Sequence, residues 1–78
     1  MTELKTGMKV VAVYVPDHAD EWITVNKEYT VMAVQGEKNL CFGDTIRSPN
    51  GFNFVDDNGQ MAFQAGLTGL HADFEIVE

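Results

Sequence analysis

Turn-forming residues interrupt the apolar runs of this chain about every eight to twelve residues, and this spacing restricts its fold more than any other feature. The runs between the turns are rich in β-branched and aromatic side chains, which pack well on a pleated surface. They are also too short to hold stable isolated helices. The pattern therefore predicts one all-β domain over residues 1–78, a small antiparallel barrel or sandwich of five or six short strands.

The stretch over residues 23–31 is the expected starting point of a central strand. The polar pair Asn26-Lys27 separates its two extended pieces, and Asn tolerates the left-handed backbone geometry of a turn. The second piece leads into a strand predicted over residues 28–35. Other strands are predicted over residues 8–15 and 74–77, with a hairpin over residues 51–63.

The hairpin is the clearest local signal in the chain. Asn58-Gly59 is a favoured central pair of a two-residue type I′ turn, because both of its positions require positive φ. Residues 40–50 are less regular and are expected to form an inserted loop or one short strand. Residues 64–73 are expected to form a loop with one tight helical turn near its end. The core is predicted to contain Tyr29, Val31, Phe54 and Phe74.

The chain is strongly acidic, with twelve Asp and Glu against five Lys and Arg and a net charge of −7. Phosphate backbones would repel such a chain, so direct nucleic-acid binding is not expected. The acids are scattered, which favours solubility as their role, while an acidic face for a basic partner or an imitation of DNA is the alternative. No apolar run approaches the roughly 18 residues of a membrane span. A lone Cys41 and an N-terminus without a secretion signal favour the cytoplasm.

Four segments of the chain resemble a family of small SH3-like barrels found among bacteriophage and prophage proteins. The family pattern runs G-x-K-V, V-G-K-x-Y-x-V, V-D-D-x-G and F-E-L-V, and the matching segments begin at Gly7, Val25, Val55 and Phe74. Asn26 stands where the family usually has Gly, and residues 40–50 are longer than the usual connection. The resemblance implies an SH3-like barrel that serves as a phage or prophage accessory protein and binds a host protein.

The sequence offers no convincing catalytic or metal-binding set. His18-Ala19-Asp20 and His71-Ala72-Asp73 repeat one tripeptide, which could bind a transition metal if the two loops met, but the spacing matches no zinc or calcium signature. Asp56 and Asp57 are adjacent at a hairpin bend and are expected to point to opposite faces rather than to form a catalytic pair. We therefore predict no enzyme activity, no cofactor and no metal.

The acidic loop after Pro16 is the predicted partner-binding site. It contains Trp22, a residue type common at binding hot spots, beside carboxylates that would select a basic partner. In SH3-like barrels the equivalent loop borders the ligand groove. The alternative is that Trp22 folds back to cap one end of the barrel. The predicted site residues are Asp17, His18, Asp20, Glu21 and Trp22.

Three functions are compatible with these features. The first is a non-catalytic protein-binding module that engages and modulates a host protein with a basic surface. The second is an acidic DNA mimic that inhibits a host nucleic-acid-binding enzyme, and the third is a structural or oligomer-forming barrel. Salt dependence separates the first two, because mimicry of DNA should weaken steeply as ionic strength rises.

Overall fold

The computed structural model describes residues 4–68 and 71–77, which form an all-β fold of antiparallel strands, as predicted. The helical element of these residues is one 3₁₀ turn, Asp17–Ala19. None of the described residues belongs to a helix long and apolar enough to cross a membrane. The six strands are β1 Lys9–Tyr14, β2 Glu28–Thr30, β3 Ala33–Val34, β4 Phe52–Val55, β5 Met61–Gln64 and β6 Asp73–Val77.

The strands form two three-stranded sheets, ordered β2-β1-β6 and β3-β4-β5. The strand predicted over residues 28–35 is divided into β2 and β3, and it passes from the first sheet to the second between Val31 and Met32. The Val31 N–H donates to the carbonyl of Met8 at 2.8 Å, whereas the Met32 N–H donates to the carbonyl of Asn53 at 2.8 Å. One run of chain therefore couples both sheets. Within the described residues no ladder joins β5 to β6, so backbone pairing does not close the predicted barrel.

Both sheets share one core, and aromatic rings occupy its centre. Tyr29, Phe54 and Phe74 are each at most 4% exposed, and their ring centroids lie 5.4 to 6.2 Å apart. Edge-to-face and tilted ring pairs of this kind add about 0.5–1.5 kcal/mol each to the free energy of their burial. Val31 belongs to the same cluster, so the predicted core is confirmed.

The β4–β5 hairpin forms where predicted, but its turn is of another type. Gly59 has a φ of 78°, whereas Asn58 does not have a positive φ, so the predicted type I′ turn is wrong. The Asp56 N–H instead donates to the Gln60 carbonyl at 2.9 Å, as in a three-residue loop closed by a left-handed glycine. The Asp56 carboxylate accepts the N–H groups of Asn58 and Gln60, which stabilises this longer turn.

Gln64 fixes the connection between β5 and β6. Its side chain is fully buried, and its amide nitrogen donates to the carbonyls of Gly66 at 2.7 Å and Ala72 at 2.9 Å. These bonds hold residues 65–68 and 71–72, which have no regular structure, against the sheet. Residue 70 of the helical turn predicted near residues 70–73 lies outside the described residues, and the prediction is wrong for the other three, because His71 and Ala72 are not helical and Asp73 begins β6.

Candidate functional site

Residues 17–22, here called the acidic turn, contain the predicted site, and buried residues attach this turn to the core. Ala19 and Ile23 are buried in the core, and the Ile23 N–H donates to the Ala19 carbonyl at 2.9 Å. Because the backbone of the turn is fixed at both buried positions, its polar side chains are presented to solvent from a rigid base. The exposed members are Asp17, His18, Asp20 and Glu21.

The carboxylates of the acidic turn are electrostatically uncompensated. Among the described residues, the side chains of Asp17, Asp20 and Glu21 make no hydrogen bond or ion pair, and the ion pair that is present joins Lys27 to Asp57. Three free negative charges within five residues create a local field that attracts a cationic surface. The turn can therefore pair with Lys or Arg side chains without first breaking internal contacts.

Trp22 packs between the acidic turn and the core of the fold. Its side chain is half-buried and packs against the core, and its ring meets that of His71 edge to face with centroids 4.9 Å apart. Burial lowers the pKa of His71, and the nearby His18 lowers this pKa further. This placement matches the alternative in which Trp22 caps one end of the fold.

Tyr14 is an exposed aromatic beside the acidic turn that sequence reasoning did not identify. The β1–β6 register shifts between Ala12 and Tyr14, so Val13 forms a bulge in β1. Val13 is 41% exposed and Tyr14 is 58% exposed, three residues before Asp17. Residues 10–15 are all apolar or aromatic, so the sequence contains no change of pattern that could locate this bulge.

The repeated His-Ala-Asp tripeptides do not form a metal centre in the part of the chain that the structure describes. No group of three or more His, Cys, Asp or Glu side chains is arranged there to hold a metal ion. Asp56 and Asp57 also diverge, as predicted: Asp56 caps its own hairpin, while Asp57 reaches across to residues of the 23–31 stretch.

Asp57 is the centre of a polar cluster beneath the acidic turn. Its carboxylate accepts hydrogen bonds from the Thr24 hydroxyl at 2.6 Å, the Lys27 ammonium at 2.6 Å and the Tyr29 hydroxyl at 2.9 Å. Its N–H donates to the Trp22 carbonyl at 2.9 Å, which ties the end of the turn to the hairpin. The cluster stabilises the fold and is not a free binding site, because every one of these groups already has a protein partner.

These contacts shift the ionisation of the cluster. Burial alone would raise the pKa of Asp57, but hydrogen bonds from Lys27, Thr24 and Tyr29 outweigh it and hold this pKa below its usual range. Burial raises the pKa of Tyr29, and the hydrogen bond to Asp57 raises the pKa of Lys27. The cluster therefore contains a carboxylate, an ammonium and a neutral phenol at pH 7.

Residues 38–47, here called the aromatic loop, cover the outer face of the β3-β4-β5 sheet. The backbone register pairs Asn53 with both Ala33 and Phe63, which places these three side chains on one face, away from the main core. Asn53 is fully buried there, and Ile46 of the loop is 2% exposed. The loop thus builds a small second core on a sheet face that would otherwise be open.

Phe42 stands out of this loop into solvent. It is 75% exposed, and its ring makes an edge contact with Phe63 at a centroid distance of 6.1 Å. Leu40, two residues earlier, is 48% exposed. The prediction of an irregular segment over residues 40–50 is confirmed, but the sequence alone did not show that it presents an apolar surface.

We compared the chain with known protein families, curated proteins and solved structures. No family of known proteins matches the chain, and no curated protein or solved structure shows significant similarity to it.

Proposed function

We propose that this chain is a non-catalytic protein-binding module of the SH3-like type, which engages a basic surface of another protein through the acidic turn and Tyr14. The observation that carries the proposal is the set of three exposed, unpaired carboxylates on a turn that is fixed to the core. A preorganised charged surface loses little conformational entropy on binding, so its charge can be used for recognition.

The SH3-like assignment is supported by the way the two sheets share the chain. Two small antiparallel sheets enclose one core, and a single run from β2 to β3 passes from one sheet into the other. The resemblance of four segments to phage and prophage SH3-like proteins fits the same architecture and gives the proposed setting, a phage-encoded factor that modulates a host protein. The matching residues are turn and core positions, and Asn26, which replaces the family's usual Gly, has a φ of 68°, the left-handed geometry that a Gly would provide.

The side chains at the pocket beside β2 fit a binding role better than a catalytic one. This pocket of about 400 Å³ is walled by Met32 and Val55, and its polar residues are Lys27 and Tyr29, which are both bonded to Asp57, together with Glu28 and Thr30. Burial raises the pKa of the Cys41 thiol, so the thiolate that would act as a nucleophile is disfavoured at neutral pH.

Capture of proteins from a bacterial lysate by the tagged full chain tests the proposal. The test variant is Asp20→Asn/Glu21→Gln, which leaves Asp17 in place because that residue opens the 3₁₀ turn. The matched control is Glu28→Gln/Glu75→Gln, which removes the same charge from exposed strand positions. We expect the test variant to capture its main partner about tenfold less than the parent, while the control captures it normally.

Two results would count against the proposal. Equal loss in both variants would mean that net charge, rather than the acidic turn, determines capture. A captured nucleic-acid-binding enzyme whose release follows a steep power of salt concentration would favour a DNA mimic, because many distributed charges would then be in contact. A shallow salt dependence of release, equivalent to only two or three charges in contact, fits recognition by the acidic turn.

A further inference from the structure

We propose that the aromatic loop is a self-association surface, on which a second copy of this chain docks through Phe42 and a reciprocal pair of Asp44–Arg47 contacts. This inference goes beyond the proposed function, since it concerns another surface and another partner. Phe42 is 75% exposed and its ring contacts that of Phe63, so the two rings form a contiguous apolar patch, and such patches mark interaction sites.

The loop is rigid enough to serve as an interface. The Leu40 N–H donates to Asn53 Oδ1 at 2.8 Å, and the Cys41 N–H donates to Asn39 Oδ1 at 2.8 Å. Both Asn side chains are buried, so the acceptor ends of these partly buried bonds lie inside the fold. Phe42 therefore projects from a fixed backbone, and docking onto it does not require the loop to order first.

Charge makes this surface suitable for a second copy. The whole chain has a net charge of −7, which opposes self-association over most of its surface. Residues 36–50 contain two acids and two bases, so this segment has no net charge. Two copies can therefore approach through this segment without net repulsion between the facing segments.

The arrangement of these charges is self-complementary. Asp44 and Arg47 line one pocket of about 190 Å³ together with Phe42 and Phe63, and within the described residues neither side chain is in an ion pair. A two-fold axis through such a patch brings each Asp44 to the Arg47 of the other copy, while the Phe42 rings meet at the centre. One acid and one base per copy then form two intermolecular pairs.

Sedimentation equilibrium of the full chain tests this proposal. We expect the parent to dimerise with increasing concentration, and Phe42→Ala to weaken the dimer at least about tenfold. Asp44→Lys and Arg47→Glu should each do the same, because each places like charges opposite one another. Glu75→Lys and Lys9→Glu are the matched controls, with the same charge changes at exposed positions outside the aromatic loop.

Mixing the two charge-reversed variants is the decisive step. Asp44→Lys and Arg47→Glu should form a heterodimer close in strength to the parent dimer, because one intermolecular Arg47–Asp44 pair is kept as in the parent and the other pair is re-formed with its two charges exchanged. This recovery also shows that neither variant failed to fold. The proposal is overturned if the mixture stays monomeric while the parent dimerises. It is equally overturned if the parent stays monomeric to about millimolar concentration. In that case, loss of lysate capture by Phe42→Ala would show that the aromatic loop binds a different protein.

Discussion

The buried side chain of Asn53, in the middle of β4, reaches the side chain of Asn39 in the aromatic loop, with 3.2 Å between Asn53 Nδ2 and Asn39 Oδ1. Asn53 Nδ2 also donates to the Ala62 carbonyl at 3.1 Å, and its Oδ1 accepts the Leu40 N–H. Among the described residues, no buried side-chain nitrogen or oxygen lacks a partner. A fully satisfied polar network of this kind specifies one loop position, which apolar contacts alone would leave less defined.

The first prediction concerns this network. Asn53→Ala should destabilise the fold by about 2–3 kcal/mol, because the Leu40 N–H and the Asn39 amide lose their buried partner. Urea unfolding gives the free energy directly, with Asn58→Ala as a control at an exposed position of similar chemistry. The control should stay within about 0.5 kcal/mol of the parent. Equal stability of the two variants would mean that the Asn53 bonds do not hold the loop.

The second prediction concerns the pH dependence of the stability that Asp57 contributes. Because the folded-state pKa of Asp57 is lowered, its carboxylate stabilises the fold above the pKa of about 3.9 that Asp has in an unfolded chain. This stabilisation is lost as the pH falls through the lower folded-state pKa. Asp57→Asn should therefore cost about 1–2 kcal/mol at pH 7, and the difference from the parent should narrow steadily below about pH 4. A difference that stays constant between pH 2 and pH 7 in urea unfolding would rule out the carboxylate charge as its source.

The third prediction concerns the hairpin turn. Gly59 has a φ of 78°, a conformation that costs a residue with a branched side chain about 1–2 kcal/mol. Gly59→Val should lower the melting temperature clearly, whereas Gln60→Thr, at the exposed neighbouring position, should leave it nearly unchanged. Gly59→Asn should fall between them, because Asn tolerates this geometry. If thermal melts of the Val and Thr variants coincide, the left-handed position has been assigned to the wrong residue.

The fourth prediction tests whether Trp22 stabilises the fold or contacts the partner directly. Since this side chain packs against the core and His71, Trp22→Ala should cost at least about 2 kcal/mol of unfolding free energy. Trp22→Phe, which retains an aromatic ring, should recover much of this loss. An unchanged melting temperature for Trp22→Ala, together with lost partner capture, would instead make Trp22 a binding hot spot.

The sequence predicts the strands and the core well, because both follow from alternation and from residue types that pack on a sheet. Tyr29 and Phe54 are recognisable as core residues without knowledge of their contacts. The turn at Asn58-Gly59 was assigned to the wrong type because the Asp56 carboxylate favours the longer loop, and this competition depends on hydrogen bonds that propensity does not weigh. The open pairing between β5 and β6 is likewise a long-range property.

The candidate site was predictable only in part. Acidic residues after a proline indicate an exposed loop, and Asp17, Asp20 and Glu21 are exposed as that pattern suggests. Tyr14 and Phe42 could not be identified, because their exposure depends on a bulge in β1 and on a loop fastened by distant Asn53. Apolar residues of this kind look like core residues until the fold shows which face they occupy.

Recognition by the acidic turn can be tested by an NMR titration of the isotopically labelled chain with its captured partner. We expect the largest amide shifts within residues 14–22, with additional changes at the Trp22 indole N–H and little change in residues 38–47. The same titration of Asp20→Asn/Glu21→Gln should need about tenfold more partner to reach the same shifts. Shifts confined to residues outside 14–22, with the affinity of the charge variant unchanged, would contradict recognition by the acidic turn.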